Sequence, residues 1–227
     1  PYTACAIVKN LKFDDKKIKE IIDIQEKIHL TLGRKRKKIA IGIYPLEQIS
    51  LPITFKALEP DKIKFQPLEA DREMSGLEIL QRHPAGKEYA HLLAGKSMFP
   101  IFIDNNSEIL SMPPIINSHK TGKITSNTKN VFVECSGFDF SVLKKCLNII
   151  ATTLADMNGE ICQMELKDKT TNLWVEDNTI VTKTGEIVHL VIQPETKIRN
   201  VDFYKDRNDA VVFSTGDSVY VIEVDKV

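Results

Sequence analysis

The sequence predicts an α+β fold in which mixed or antiparallel sheets are flanked by helices, with a β-rich tail at the C-terminal end. Three observations carry this. Residues 99–103 and 108–112 are short apolar runs joined through Asp104, Asn105 and Asn106, whose side chains accept nearby backbone amides and tolerate positive φ, which is hairpin chemistry. Residues 18–32 and 140–157 space their apolar side chains so that one helical face is buried. Beyond Lys167, β-branched runs alternate with turn residues.

In chain order, Ala4, Cys5, Ala6, Ile7 and Val8 make a small-residue strand suited to burial. Asp14 and Asp15 then open a helix that carries Ile18, Ile21, Ile22, Ile24, Ile28 and Leu32, and Gly33 is the expected residue just past its end. His29 within it has no assigned role. The densest charge run follows, Arg34-Lys35-Arg36-Lys37-Lys38, directly before an apolar strand at 39–43. Such a run is either a solvated turn or a set of phosphate contacts that set affinity without reading sequence.

Residues 46–68 read as short strands punctuated by Pro52, Pro60 and Pro67. Ser75 and Glu78 form a capping box for a helix over 74–82, His83-Pro84 ends it, and a second short helix is expected over 87–93. His91 lies in that helix with no Ser, Asp, His or Cys at a spacing that suggests a triad or a metal. Pro113-Pro114 then follows the hairpin, where two fixed φ angles and no N–H stop the ladder. His119 sits in the polar stretch after it, and Lys120, Lys123 and Lys129 make the next connection basic.

In the strand at 130–135, alternation places Glu134 on the face of Phe132. A carboxylate there is paired, hydrogen-bonded or waiting for a ligand, unless the strand is an edge with both faces wet. Ser136-Gly137 follows, and Gly137 allows a turn or a close approach to a ligand. Gly159 ends the last helix.

The 227 residues suffice for one large or two small domains, and Lys plus Arg equals Asp plus Glu at 31 each. That balance argues against a dedicated high-affinity RNA binder, but not against a module whose RNA is delivered by neighbouring domains. Cys5, Cys135, Cys146 and Cys162 are scattered, which suits reduced thiols of a cytoplasmic protein and no metal site. No run is long enough to cross a bilayer and no signal peptide is expected; a start at Pro1 suits a piece of something larger.

LSMPPIIN (110–117) and TKNVFVECSGFDF (128–140), with RKKIAIGIYPLEQI, PITFKALEPDKIKFQPLEADREMS and EYAHLL upstream in the same order, closely resemble the β subunit of archaeal and eukaryotic phenylalanyl-tRNA synthetase. The resemblance runs from Pro1 to about Lys167 and covers that family's editing module, called B3/B4. It implies hydrolysis of tyrosine mischarged onto the phenylalanine tRNA, with Glu134 reading the tyrosine hydroxyl. Ser111, Ser136 and Phe102 match positions of the same pocket. By proximity alone, Gly137 and Asn117 join them as contacts to the ester. With no triad in the sequence, the resemblance implies a positioned water, for which Asn117 and His119 are the weak candidates. Arg34 to Lys38, Lys120 and Lys123 would meet the tRNA acceptor end. The remaining β-subunit domains and the α subunit are the implied partners. ATP and Mg²⁺ would serve the parent ligase, and this stretch would need no cofactor. Residues 1–167 are thus expected to be the editing module and 168–227 a β-rich extension, a meander or a propeller-like blade. A freestanding tRNA-binding or deacylase relative and a non-catalytic structural module, with Glu134 paired to a lysine, stay open.

Overall fold

The computed structural model describes residues 2–162 and Met164, and beyond them seven tail strands by their backbone. The chain divides into two compact units, Pro1–Gln163 and Met164–Val227. In chain order the first contains β1 (Tyr2–Lys9), α1 (Asp15–Leu30), β2 (Ile39–Pro45), β3 (Thr54–Leu58), β4 (Lys64–Phe65), β5 (Met74–Ser75), α2 (Gly76–Arg82) and α3 (Pro84–Tyr89). Then follow β6 (Phe99–Ile103), β7 (Ile109–Met112), β8 (Ile116–Asn117), α4 (His119–Gly122), β9 (Val131–Gly137), α5 (Phe140–Asp156) and β10 (Glu160–Cys162).

Two four-stranded sheets, each with antiparallel neighbours, organise this unit, in the orders β10-β1-β9-β2 and β3-β6-β7-β8. Strand alternation sorts the first sheet's faces. Ala4, Ala6, Val8, Ile39, Ile41, Ile43, Val131, Val133 and Cys135 turn one way and pack with Ile21 and Ile28 of α1 and Leu143, Cys146, Ile150 and Leu154 of α5. A second core gathers Ile63, Phe65, Ile79, Tyr89, Phe99, Ile101, Met112 and Ile115.

Local chemistry sets the element ends. Asp14 caps α1 by accepting from the Lys17 amide at 2.8 Å. Gly33 is not the left-handed residue after α1. The positive φ angles fall on Arg34, Lys35 and Arg36, at 48°, 55° and 62°. Gly33 is needed for a different reason: a Cβ there would lie 2.6 Å from the His29 carbonyl oxygen, because the chain folds tightly back on the last helical turn. Ser75 and Glu78 do form the capping box, but Met74–Ser75 is taken into β5 and the helix begins at Gly76. The next helix starts at Pro84, three residues earlier than expected, because the His83 Nδ1 accepts from the Ala85 amide.

The hairpin of β6 and β7 turns on Asp104, whose Oδ1 accepts from the amides of Asn106 and Glu108, with Ser107 at positive φ. The ladder does not stop at Pro113-Pro114. The chain reverses there and β8 pairs back onto β7, with Ser111 opposite Asn117.

β2 is an edge of the first sheet, and α1 seals its middle. The His29 Nε2 accepts from the Ile41 amide at 2.9 Å, and the Gln25 Nε2 donates to the Ile41 carbonyl at 2.9 Å. His29 is buried and its pKa is lowered, chiefly by burial, so the neutral ring serves as the acceptor that an adjoining strand would otherwise supply.

In the second unit the strands pair antiparallel among themselves: β11 (Leu166–Lys167) with β12 (Trp174–Val175), and β13 (Ile180–Val181) with β14 (Ile187–Val188). β15 (Ile198–Phe203), β16 (Ala210–Thr215) and β17 (Val219–Glu223) form a three-stranded meander. Of the turn residues that the sequence sets between these strands, Glu176-Asp177-Asn178, Thr184-Gly185 and the Gly216-Asp217 part of Thr215-Gly216-Asp217 lie outside the described residues.

Left-handed backbone at a residue bearing a Cβ costs roughly 1–2 kcal/mol, and Lys35 is exposed. Lys35→Gly is expected to stabilise the chain by about 1 kcal/mol in urea denaturation; a loss of stability would mean that the lysine side chain, not the turn, governs this position.

Candidate functional site

Glu134 stands in the middle of β9, directly opposite Cys5 of β1 and Gly42 of β2. It is 1% exposed. The wet-edge reading fails because β9 has a strand on both sides and Phe132, Glu134 and Ser136 are all buried. They share their face with Ala40, Gly42 and Tyr44.

Tyr44 is fully buried, stacked against Phe132 with centroids 5.9 Å apart. Its ring lies back over Gly42, where a Cβ would come within 2.1 Å of the hydroxyl. That hydroxyl sits 3.2 Å from Glu134 Oε1 and 2.8 Å from the Ser111 Oγ on β7 of the other sheet. Glu134 Oε2 has no hydrogen-bond partner among the described residues. Burial pushes the Glu134 carboxyl up to about 8, against the opposing pull of the Tyr44 hydroxyl and, more weakly, of Ser136.

A cleft of about 460 Å³ lies against this face. Glu134 and Ser111 reach it from the sheets, Gln25 and Glu26 from α1, Pro113, Pro114 and Ile115 from the β7–β8 turn, and Asn117, His119 and Lys123 from the segment beyond. The His119 Nδ1 is buried there without a hydrogen-bond partner among the described residues. Arg36 also lines the cleft, and this corrects its reading as a surface phosphate contact. Its guanidinium donates to the carbonyls of Pro114 and Ile115 at 3.3 and 2.9 Å and to Glu26 Oε1 at 3.0 Å, and it lies 4.4 Å over the Tyr89 ring. It therefore clasps the β7–β8 turn to α1 and α3. Glu26 is held below the usual carboxylate range, first by His29 and also by Arg36, against its partial burial.

The cleft thus gathers Glu134, Ser111, Asn117, His119 and Lys123 from the residues singled out in the sequence. It leaves others aside. Phe102 is buried in a stack on Phe55 with centroids 4.5 Å apart. Ser136 is buried one step along the sheet, opposite Ala40. Gly137 permits a close approach, but to the chain itself: a Cβ would lie 2.0 Å from the Lys38 carbonyl oxygen. Lys38 pairs with Asp139 at 3.4 Å and Lys120 with Glu108, whereas Arg34, Lys35 and Lys37 are exposed. His91 is exposed, with its Nδ1 3.1 Å from the Glu88 carbonyl oxygen. Tyr44, Gln25 and Glu26 were missed. The one sequence signal for Tyr44 was Gly42, a glycine inside a strand, which marks a close approach.

Residues 7–160 match the B3/4 domain pattern. The chain belongs to that family. It is 47% identical over 161 residues to the phenylalanine–tRNA ligase β subunit of Thermococcus sibiricus, covering 71% of this chain and 29% of that one. It is 44% identical over 166 residues to that of Methanococcus aeolicus, covering 73% and 30%. The chain therefore spans under a third of the length of these relatives. The fold is similar to an N-terminal fragment of the phenylalanyl-tRNA synthetase β subunit from Pyrococcus horikoshii, with a TM-score of 0.75 and 36% identity over 89% of this chain and 53% of that one. Among the described residues of this B3/4 chain, no helix is long and apolar enough to cross a membrane, and no group of three His, Cys, Asp or Glu could hold a metal.

A carboxyl raised from 4.5 to about 8 makes the folded state hold a proton that the unfolded state has lost. Its stability contribution is complete below pH 4.5 and falls as pH rises to about 8, by roughly 1.4 kcal/mol per pH unit at most. Glu134→Gln, which cannot ionise, should gain stability over the parent progressively across that window in urea denaturation. A difference that is flat with pH would show that Glu134 is not held protonated.

Proposed function

We propose that this chain is the editing module of a phenylalanine–tRNA ligase β subunit, and that its cleft hydrolyses tyrosine mischarged onto the phenylalanine tRNA. One observation carries the reading: a buried Glu134 whose Oε2 has no partner among the described residues, beside a cleft that also offers Asn117 and His119. A synthetic pocket cannot always reject an added hydroxyl with enough margin, so a second site must prefer it. Glu134 does so in either charge state, because the carboxylate accepts from a phenol and the neutral acid donates to one. Phenylalanine offers neither and leaves the buried oxygen unpaired, at about 1–3 kcal/mol.

In the hydrolytic step a water oxygen attacks the ester carbonyl, the bond to the ribose oxygen breaks, and that oxygen takes up a proton. Asn117 and His119, whose Nδ1 has no partner among the described residues, would hold the water, and the neighbouring ribose hydroxyl would assist. Of the cations that the sequence reading sets against the tRNA, Arg34, Lys35, Lys37 and Lys123 are exposed and would meet acceptor-end phosphates. In this reading residues 1–167 form the editing module and 168–227 an extension. The partners are the rest of the β subunit and the α subunit of a cytoplasmic ligase, whose ATP and Mg²⁺ chemistry resides elsewhere. A purely structural role would fill the Glu134 site with a cation, yet Glu134 has no ion pair among the described residues and Arg36 is bound away from it.

The test is deacylation of tyrosyl- and phenylalanyl-tRNA by this chain and by the chain joined to the remaining synthetase domains, beside Glu134→Ala. Selective tyrosine release is expected, with the variant losing about ten- to a hundredfold in selectivity. No release in either setting would sink the assignment.

A further inference from the structure

The Glu134 carboxyl has two oxygens, and the protein itself supplies a phenol to one of them. The Tyr44 hydroxyl, 3.2 Å from Oε1, carries a single proton and also lies 2.8 Å from the Ser111 Oγ. It can donate to only one of the two. When it donates to Oε1, Ser111 donates to it in turn, and the three groups form a directed chain from one sheet to the other. Ser111, which lines the cleft and which the resemblance makes a substrate contact, then also backs the Tyr44 hydroxyl. Ser136 pulls on the carboxyl more weakly than Tyr44, and Oε2 has no hydrogen-bond partner among the described residues.

We propose that Tyr44 is the positioning residue that sets the selectivity of this cleft: it occupies the Oε1 side of Glu134 as a built-in copy of the ligand's own group, fixing the carboxyl so that Oε2 alone is left for an incoming phenol. This rests on the editing reading for the identity of the ligand, and on the geometry of β2, β7 and β9 for the rest. Three features of the fold serve it. Gly42 leaves the space that the Tyr44 hydroxyl occupies. Phe132 stacks on the ring, with centroids 5.9 Å apart, and adds a packing contact that favours this orientation. Cys5, the neighbour of Glu134 on β1, is small enough to leave the carboxyl room.

The groups whose titration could be mistaken for that of Glu134 are few. Cys5 and Tyr44 flank it on the adjoining strands, and Cys135 follows it; the Tyr44 and Cys135 acids are pushed well above their ordinary range, chiefly by burial. Across the cleft, Glu26, His29 and Arg36 are bound to one another, while Glu69, His119 and Lys123 line the far wall.

The experiment follows the Glu134 side-chain carboxyl by ¹³C NMR in the full chain, for the parent and for Tyr44→Phe, together with the KM and kcat of tyrosyl- and phenylalanyl-tRNA deacylation. Losing the donor to Oε1 should raise the Glu134 titration midpoint by about one pH unit. It should also raise the KM for the tyrosyl ester by about tenfold, with the phenylalanyl reaction unmoved. A merely structural role would depress both reactions and leave the midpoint in place, and that result overturns the proposal. Should Tyr44→Phe fail to fold, fluorotyrosine placed at position 44 keeps the shape and strengthens the donor, so the midpoint must fall; an unchanged midpoint overturns the proposal equally. The titration uses no RNA, so the role of Tyr44 and the editing reading fail separately.

Discussion

A carboxyl group taken out of water in the middle of a fully paired strand is the constraint that the rest of this unit answers. Removing a carboxylate from solvent is costly enough that the group either gains partners or takes up a proton, and Glu134 does some of each. Its row across the sheet, Cys5–Glu134–Gly42, combines one charged residue with two small ones, so the side chain has room without a bulky neighbour on either adjoining strand. The donor it does obtain comes from the next residue on the same face of β2. Tyr44 can reach back only because position 42 has no side chain. The cleft and its chemistry are consequences of how that single burial is accommodated.

The second organising feature is the polar side of α1. An amphipathic helix is usually described by what its apolar stripe buries, and here Ile21 and Ile28 do pack on the sheet. Gln25, Glu26 and His29, one turn apart, do something else. Gln25 and His29 satisfy the outward amide and carbonyl of Ile41 on the sheet edge, and Glu26 anchors Arg36, which holds the carbonyls of the Pro113-Pro114 turn. One helix thereby fixes two walls of the cleft relative to each other.

Much of this was legible in the sequence. The hairpin, the capped helices, the face on which Glu134 lies and the strand-rich tail follow from periodicity and turn chemistry, and the family followed from long motifs in order. What was not legible depended on residues meeting at a distance. Arg36 reads as one cation in a basic run until the turn at Pro113-Pro114 is brought against it. His29 reads as a helix histidine until β2 is found to be an edge. Ser111 reads as a substrate contact alone until the Tyr44 hydroxyl is found bridging it to Glu134. Gly137 was correctly identified as a close-approach glycine, but the sequence cannot say whether a ligand or the Lys38 carbonyl approaches. Local rules assign the backbone well; they do not tell which polar groups are already taken.

Gly42 and Tyr44 also constrain the order in which this site can change. Any side chain at position 42 would overlap the phenol hydroxyl, so a larger residue is admissible there only after position 44 has lost its tyrosine. The reverse order is open: position 44 can vary while position 42 remains glycine. Substitutions at the two sites are therefore epistatic with a fixed direction. A variant library built on this chain would reach alternative pockets through position 44 first, and would find the route through position 42 closed.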